Sequence, residues 1–117
     1  MPIIAISSDG PTLGDWVDPR FGRAGGFIVV NMDTDEVSYV DNGAAQVMSQ
    51  GAGIETASRL ADLGVSVVIS GYVGPKAFQA LEAAEIKICQ DVQGVTTGEA
   101  LEQFRAGKLV YATESNK

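Results

Sequence analysis

Residues 65–77 read Val-Ser-Val-Val-Ile-Ser-Gly-Tyr-Val-Gly-Pro-Lys-Ala, and the fold class turns on this stretch. Val65 to Ser70 is a near-continuous apolar run, the pattern of a strand covered on both faces. Gly71-Tyr72-Val73-Gly74 then breaks the strand, and Pro75 stands at a first helical position, where its missing N–H is not needed. Ala77, Phe78, Leu81 and Ala84 give that helix an apolar face, and Ile86 to Cys89 follows as a short strand. Strand, helix and strand in this order form a crossover, which pairs the two strands in parallel.

The same reading extends in both directions. Upstream, Gly51-Ala52-Gly53 opens a helix with Ile54, Ala57, Leu60, Ala61 and Leu63 or Gly64 at helical spacing, and Gly64 suits its stop. Phe27–Met32 and Glu36–Val40 flank the turn Asp33-Thr34-Asp35 and form an antiparallel hairpin. Ile3 to Ser7 is a buried strand that runs into Ser7-Ser8-Asp9-Gly10. Residues 8–26 hold five glycines and two prolines, so they form a long loop, of a length that is functional or disordered in a compact domain. Downstream, Thr96 and Glu99 make a capping box for a helix over Thr97–Arg105 that Gly107 ends. Leu109 to Ala112 is a small closing strand or an extended tail. The expected fold is α/β: one domain over residues 1–117, core about 3–113, with a mixed five-stranded sheet and flanking helices.

Composition agrees with a single folded unit. The chain has 117 residues, 45% hydrophobic and 20% charged, and size scaling gives a folded surface of about 6,000 Å². Fifteen acidic and eight basic residues leave a net charge of −7, which argues against binding nucleic acid by bulk charge. There is no histidine, which removes imidazole chemistry, and the single cysteine, Cys89, allows neither an intrachain disulfide nor a Cys₂ or Cys₄ metal site. The N-terminus has no basic region before its short apolar run, and no stretch approaches the ~20 apolar residues of a membrane span. The expected location is the cytoplasm.

In open α/β sheets ligands sit beyond the carboxyl ends of parallel strands. That points to Ser8 after the first strand and to Gly71, Tyr72, Val73 and Gly74 after the fourth. Gly51 and Gly53 open another helix whose unpaired N–H groups suit an anion. Asp18-Pro19-Arg20-Phe21-Gly22-Arg23-Ala24 places two of the eight basic residues within four positions of the glycine-rich loop. Arg20 and Arg23 either present planar donors to a polyatomic anion, with Phe21 and Gly22 forming the wall, or pair with Asp15 and Asp18 to stiffen the loop. Lys76, in the first turn of its helix, is the third basic candidate. A different arrangement would gather Asp9, Asp18 and Asp41 on a divalent metal as a phosphoryl hydrolase.

The Asp18–Ala24 motif, the Gly51-Ala52-Gly53 helix start and the Ser70–Ala77 turn together resemble the dinitrogenase iron–molybdenum cofactor biosynthesis family. The similarity runs from Ile3 to about Thr113. Ile6–Leu13 and Tyr39–Gly43 are further similar to a member that carries a mixed molybdenum–copper sulfide cluster. The resemblance implies a ribonuclease H-like fold and a non-catalytic protein that binds or assembles a preformed anionic Mo–Cu sulfide cluster without covalent attachment. Sulfide then supplies the metal ligands, while Arg20, Arg23, Lys76 and the glycine-rich N–H groups supply charge and shape. Some family members hold their cofactor through histidine or cysteine, a mode that does not transfer to a chain without histidine. The implied partners are the cluster, an assembly ATPase and a cluster-receiving protein, with the chain as a monomer that binds neither nucleic acid nor membrane. Serving an assembly ATPase without any cofactor of its own is the remaining alternative.

Overall fold

Alternation along the strands sorts the apolar residues into two layers, one on each side of a single sheet. The structure is a computed structural model that describes residues 2–48 and 50–116. Its elements are β1 (Ile3–Ser8), β2 (Gly26–Asn31), β3 (Val37–Asp41), α1 (Gly43–Gln46), α2 (Ala52–Asp62), β4 (Val67–Ile69), α3 (Pro75–Ala83), β5 (Lys87–Cys89) and α4 (Thr97–Arg105). The strand order is β3-β2-β1-β4-β5. β1 pairs in parallel with β4, and β4 with β5, while β2 runs antiparallel to both of its neighbours.

On one face Ala5, Val68 and Ile88 pack with Ala57 and Leu60 of α2 and with Ala77, Phe78 and Leu81 of α3. On the other, Ile4, Ile6, Val67, Ile69 and Cys89 pack with Ala100 and Leu101 of α4. The three layers form one compact α/β domain whose accessible surface, 5973 Å², matches the size expectation. No helix of the described residues is long and apolar enough to cross a membrane.

Local signals in the chain set several boundaries. Thr96 accepts the Glu99 N–H while the Glu99 side chain accepts the Thr96 N–H, so α4 begins where the capping box puts it. Pro75 is the first residue of α3, and Gly64 and Gly107 take the left-handed backbone just past the ends of α2 and α4. Two expectations, the apolar faces of α2 and α3, are corrected, and two stretches left open are settled. Residues 43–46 form the short helix α1 within the polar, small-residue-rich run from Asp41 to Gln50. In α2, Ile54, Ala61 and Leu63 are exposed, and Ala52 and Thr56 join Ala57 and Leu60 in the buried face. Ala84 is the exposed C-cap of α3, outside its apolar face. Leu109–Ala112 is an extended tail, tied to the sheet edge by the Ala112 N–H donating to Ile88 O at 2.7 Å.

The long loop is packed more tightly than its glycines suggest. Val17, Asp18, Phe21 and Ala24 are buried, and the ring of Phe21 meets that of Phe27 edge-on at 5.5 Å. Backbone bonds from Asp9 N to Trp16 O, Asp18 N to Ser7 O and Tyr72 N to Pro19 O stitch the loop to β1 and to the segment after β4.

Candidate functional site

Because β1 and β4 are parallel neighbours, with Ile6 opposite Ile69, their carboxyl ends open on the same edge of the sheet. Ser7 Oγ lies 2.8 Å from Ser70 Oγ and 2.6 Å from the Asp18 carbonyl, so the long loop is drawn across both strand ends. Its descending arm then pairs with the segment after β4 through an Arg20–Tyr72 bridge.

A cavity of ≈540 Å³ opens where this loop meets the starts of α2 and α3. Its wall brings together Arg20, Phe21, Gly22 and Arg23 from the loop, Gly51 and Gly53 from α2, and Tyr72, Gly74 and Lys76 before and within α3. The sequence reading had singled out each of these. Ala52, Ile54, Pro75 and Ala77 also line it and were missed. They are immediate neighbours of the glycines that mark the two helix starts, and that adjacency was the available signal.

Three expected positions lie off the wall. Ser8 is fully buried at the end of β1, where its hydroxyl bonds the backbone of Gly10. Val73 is a core side chain between the sheet and the helices. Gly71 is small because a Cβ there would stand 2.7 Å from Pro19 O. All three shape the approach of the loop without facing the cavity.

Electrostatically the wall is one-sided. Among the described residues its charged members are Arg20, Arg23 and Lys76, with no carboxylate. Arg20 donates through Nε and Nη2 to the two oxygens of Asp18, each at 3.2 Å, and this pair holds its guanidinium pKa above the ordinary value. Asp18 is buried and also accepts the Arg20 and Gly25 N–H groups, so it organises the loop. Arg23 donates through Nη1 to the carbonyls of Gln46 and Met48, which orient its guanidinium. The pairing reading holds for Arg20, which is in an ion pair with Asp18, and both arginines line the cavity.

Two helix starts add donors. Neither α2 nor α3 has a side-chain cap, since Gly51 and Gly74 occupy their N-cap positions. Within α2 the first intrahelical donor is Glu55, to Gly51 O, which leaves Ala52, Gly53 and Ile54 N–H outside the helix ladder. In α3 it is Phe78, to Gly74 O at 2.8 Å, which leaves Lys76 and Ala77. Partial positive charge from both helix dipoles collects at this corner.

The glycines there are small for different reasons. A Cβ on Gly22 would stand 2.8 Å from Gly53 Cα, and one on Gly53 would stand 2.7 Å from the Ala77 Cβ, so loop, α2 and α3 are stacked backbone against backbone. Gly51 has φ +79°, which a side chain rarely adopts. Gly74 differs from both. Its φ of −64° suits any residue, and a Cβ there would meet nothing within 4 Å.

The hydrolase arrangement is not assembled. Among the described residues no three His, Cys, Asp or Glu side chains are placed to hold a metal ion. Asp18 is turned to Arg20, and Asp41 ends β3. The Asp9 carboxyl titrates above its ordinary range, chiefly through desolvation, with Asp18 adding like charge and Arg20 opposing it. Cys89 belongs to the layer on the α4 side, away from the cavity, and burial pushes its thiol up to about 11.

The sequence profile described as dinitrogenase iron-molybdenum cofactor matches residues 1–107. The chain belongs to this family. Within reach of the family lies the orange protein from Desulfovibrio gigas, solved in its apo form: 52% identical, TM-score 0.97, covering 100% of this chain and 98% of that one. A putative NifB protein from Thermotoga is 32% identical with a TM-score of 0.88 over the same shares. An uncharacterized protein of Methanocaldococcus jannaschii is 29% identical over 96 residues, 80% of each chain. Membership in the dinitrogenase iron-molybdenum cofactor family, together with likeness to the orange protein, points to a cluster-binding or cluster-biosynthesis role.

Proposed function

We propose that the protein is a non-catalytic carrier or assembly scaffold for a preformed, anionic molybdenum–copper sulfide cluster, held in the cavity without covalent attachment. One observation carries the reading: on a chain of net charge −7, every charged residue of the cavity wall among the described residues is basic. The donor set suits such a cargo. Sulfide completes the coordination of the metals, so the chain needs no histidine or thiol there. Arg20, Arg23 and Lys76, with the helix-start dipoles of α2 and α3 beside them, match a diffuse negative charge. Phe21, Ile54 and Tyr72 supply apolar wall that keeps water from the cargo. The resemblance of Ile6–Leu13 and Tyr39–Gly43 to a member with a molybdenum–copper sulfide cluster supports that cluster over other metal–sulfur species. The strand order, with β2 alone antiparallel, supports a ribonuclease H-like fold. The reading also places the protein in the cytoplasm, as a monomer.

The test is titration of metal-free protein with tetrathiomolybdate and Cu⁺ under reducing conditions, followed by desalting and metal analysis. Retained Mo and Cu with new charge-transfer bands are expected. Arg20 is a poor probe, because Arg20→Ala strips the buried Asp18 of its partner and disturbs the fold. Lys76 is exposed on the wall, so Lys76→Glu should weaken retention about tenfold, roughly 1.4 kcal/mol, at unchanged thermal stability. No retention by the wild-type chain overturns the reading and favours a protein partner without a cofactor.

A further inference from the structure

The wall segment Gly71–Gly74 is held from two sides. Toward the long loop, Tyr72 N–H donates to Pro19 O at 2.6 Å, and Tyr72 O accepts the Phe21 N–H at 3.1 Å. Toward the C-terminus its neighbours do the pairing. Val73 N–H donates to Asn116 Oδ1 at 3.1 Å, Asn116 Nδ2 donates to Gly71 O at 2.8 Å, and Ser115 Oγ donates to Val73 O at 2.6 Å. Donors and acceptors therefore alternate as they do along a strand, with a side-chain amide standing where a neighbouring strand's backbone would be.

The rest of the tail is arranged to deliver that amide. Ala112 is tied to Ile88 on the edge strand β5, and Gln90 Nε2 donates to Glu114 O at 2.6 Å. Asn116 Nδ2 also donates to Asp91 Oδ1 at 2.7 Å, and Asp91 N–H itself donates to Gly71 O. The matched family span ends at residue 107, so this support comes from a segment beyond it.

We infer that Asn116 is a positioning residue for the cavity, and that the C-terminal tail is a clamp that fixes the Gly71–Gly74 wall and so sets how long a bound cluster stays. It acts through the wall, since Tyr72, Gly74 and Lys76 line the cavity and Asn116 does not. The part about cluster lifetime rests on the functional reading above; the mechanical part does not.

Two variants test it: Asn116→Ala, and a chain ending after Thr113. The first readout is amide hydrogen exchange of the metal-free protein. Val73 should exchange at least about tenfold faster, and so should Phe21 and Tyr72, which neither variant touches but which pair across the same wall. The second is release of a cluster loaded from tetrathiomolybdate and Cu⁺, expected to be several-fold faster at a melting temperature close to that of the wild type. Unchanged exchange at Val73 overturns the clamp. Faster exchange at Val73 alone, with Phe21 and Tyr72 unchanged, overturns transmission through the wall. Faster exchange at all three with unchanged release overturns the role in cluster lifetime. If the wild-type chain retains no cluster, the functional reading fails, and exchange at Val73 still decides the clamp, with Phe21 and Tyr72 deciding its transmission.

Discussion

The start of α4 and the starts of α2 and α3 solve the same problem in opposite ways. At α4, Thr96 and Glu99 exchange hydrogen bonds with the backbone and close the helix end against water. At α2 and α3, glycines stand at the N-cap and leave the end open to a cavity walled by three basic residues. A capped end contributes stability; an end left open beside positive charge is a place for an anion. Gly74 makes the point sharply. The protein itself leaves room for a side chain there, so the chain forgoes a cap that its own packing would accept.

The largest effect is expected where the open corner is most crowded. Gly22→Ala drives a methyl group into the Gly53 backbone and should lower stability by about 1–3 kcal/mol, read as a fall in unfolding midpoint. A midpoint within error of the wild type would show that the loop and α2 are less closely stacked than described. Next comes Gly74→Asp, which caps α3 while placing a carboxylate in the cavity. Stability should hold or rise by a few tenths of a kcal/mol, and retention of the molybdenum–copper cluster should drop about tenfold or more. Full retention would break the comparison, because the open ends would then have no anion to serve. Thr96→Ala is the mirror experiment, expected to lose about 1 kcal/mol of stability with cluster retention untouched.

The effect absent near neutral pH concerns Cys89, on the α4 side of the sheet. Its folded pKa of about 11 lies above the ordinary 9.0, so the fold favours the neutral thiol. That contribution is complete below pH 9 and is lost as pH rises through about 11. Against a Cys89→Ala chain, wild-type stability should fall further over that window and show no differential pH dependence near neutrality. Equal curves would place the thiol in a more hydrated site.

Features written in a few adjacent residues were legible in the sequence. The capping box, Pro75 at the start of α3 and Gly64 after α2 are each settled by chemistry within one turn of helix. α1 was not legible, since no side chain caps it and Arg23, some twenty residues away, braces its last carbonyl. The face of α2 was misread for a related reason. Thr56 is buried because its hydroxyl finds Gly22 O and Asn42 Oδ1, partners supplied by other segments, and that turns Ile54 outward to the cavity rim. The antiparallel β2–β3 hairpin and the parallel β4–β5 pair followed from their connections, whereas the pairings of β1 and the order β3-β2-β1-β4-β5 needed the packed molecule.

The candidate site followed the same rule. Arg20, Arg23 and Lys76 stood out by charge and the glycines by position. Ser8, Gly71 and Val73 were included because they lie beside strand ends, and neighbouring in sequence does not decide which way a residue faces. Asn116 was invisible, being joined to Gly71 and Val73 across more than forty residues.

Gly22, Gly53 and Ala77 stand in single file between the loop and the two helices, each filling the space its neighbour would need to grow. A side chain at Gly53 is acceptable only after the Ala77 methyl has given way, and one at Gly22 meets Gly53 backbone that no substitution removes. The rim is under no such restraint, because Ile54, Tyr72 and Lys76 are open to solvent. Over generations of single substitutions the charge and polarity at the mouth are free to drift, while the width at the back is inherited. The size of what this cavity accepts should therefore be far harder to alter than its preference for charge.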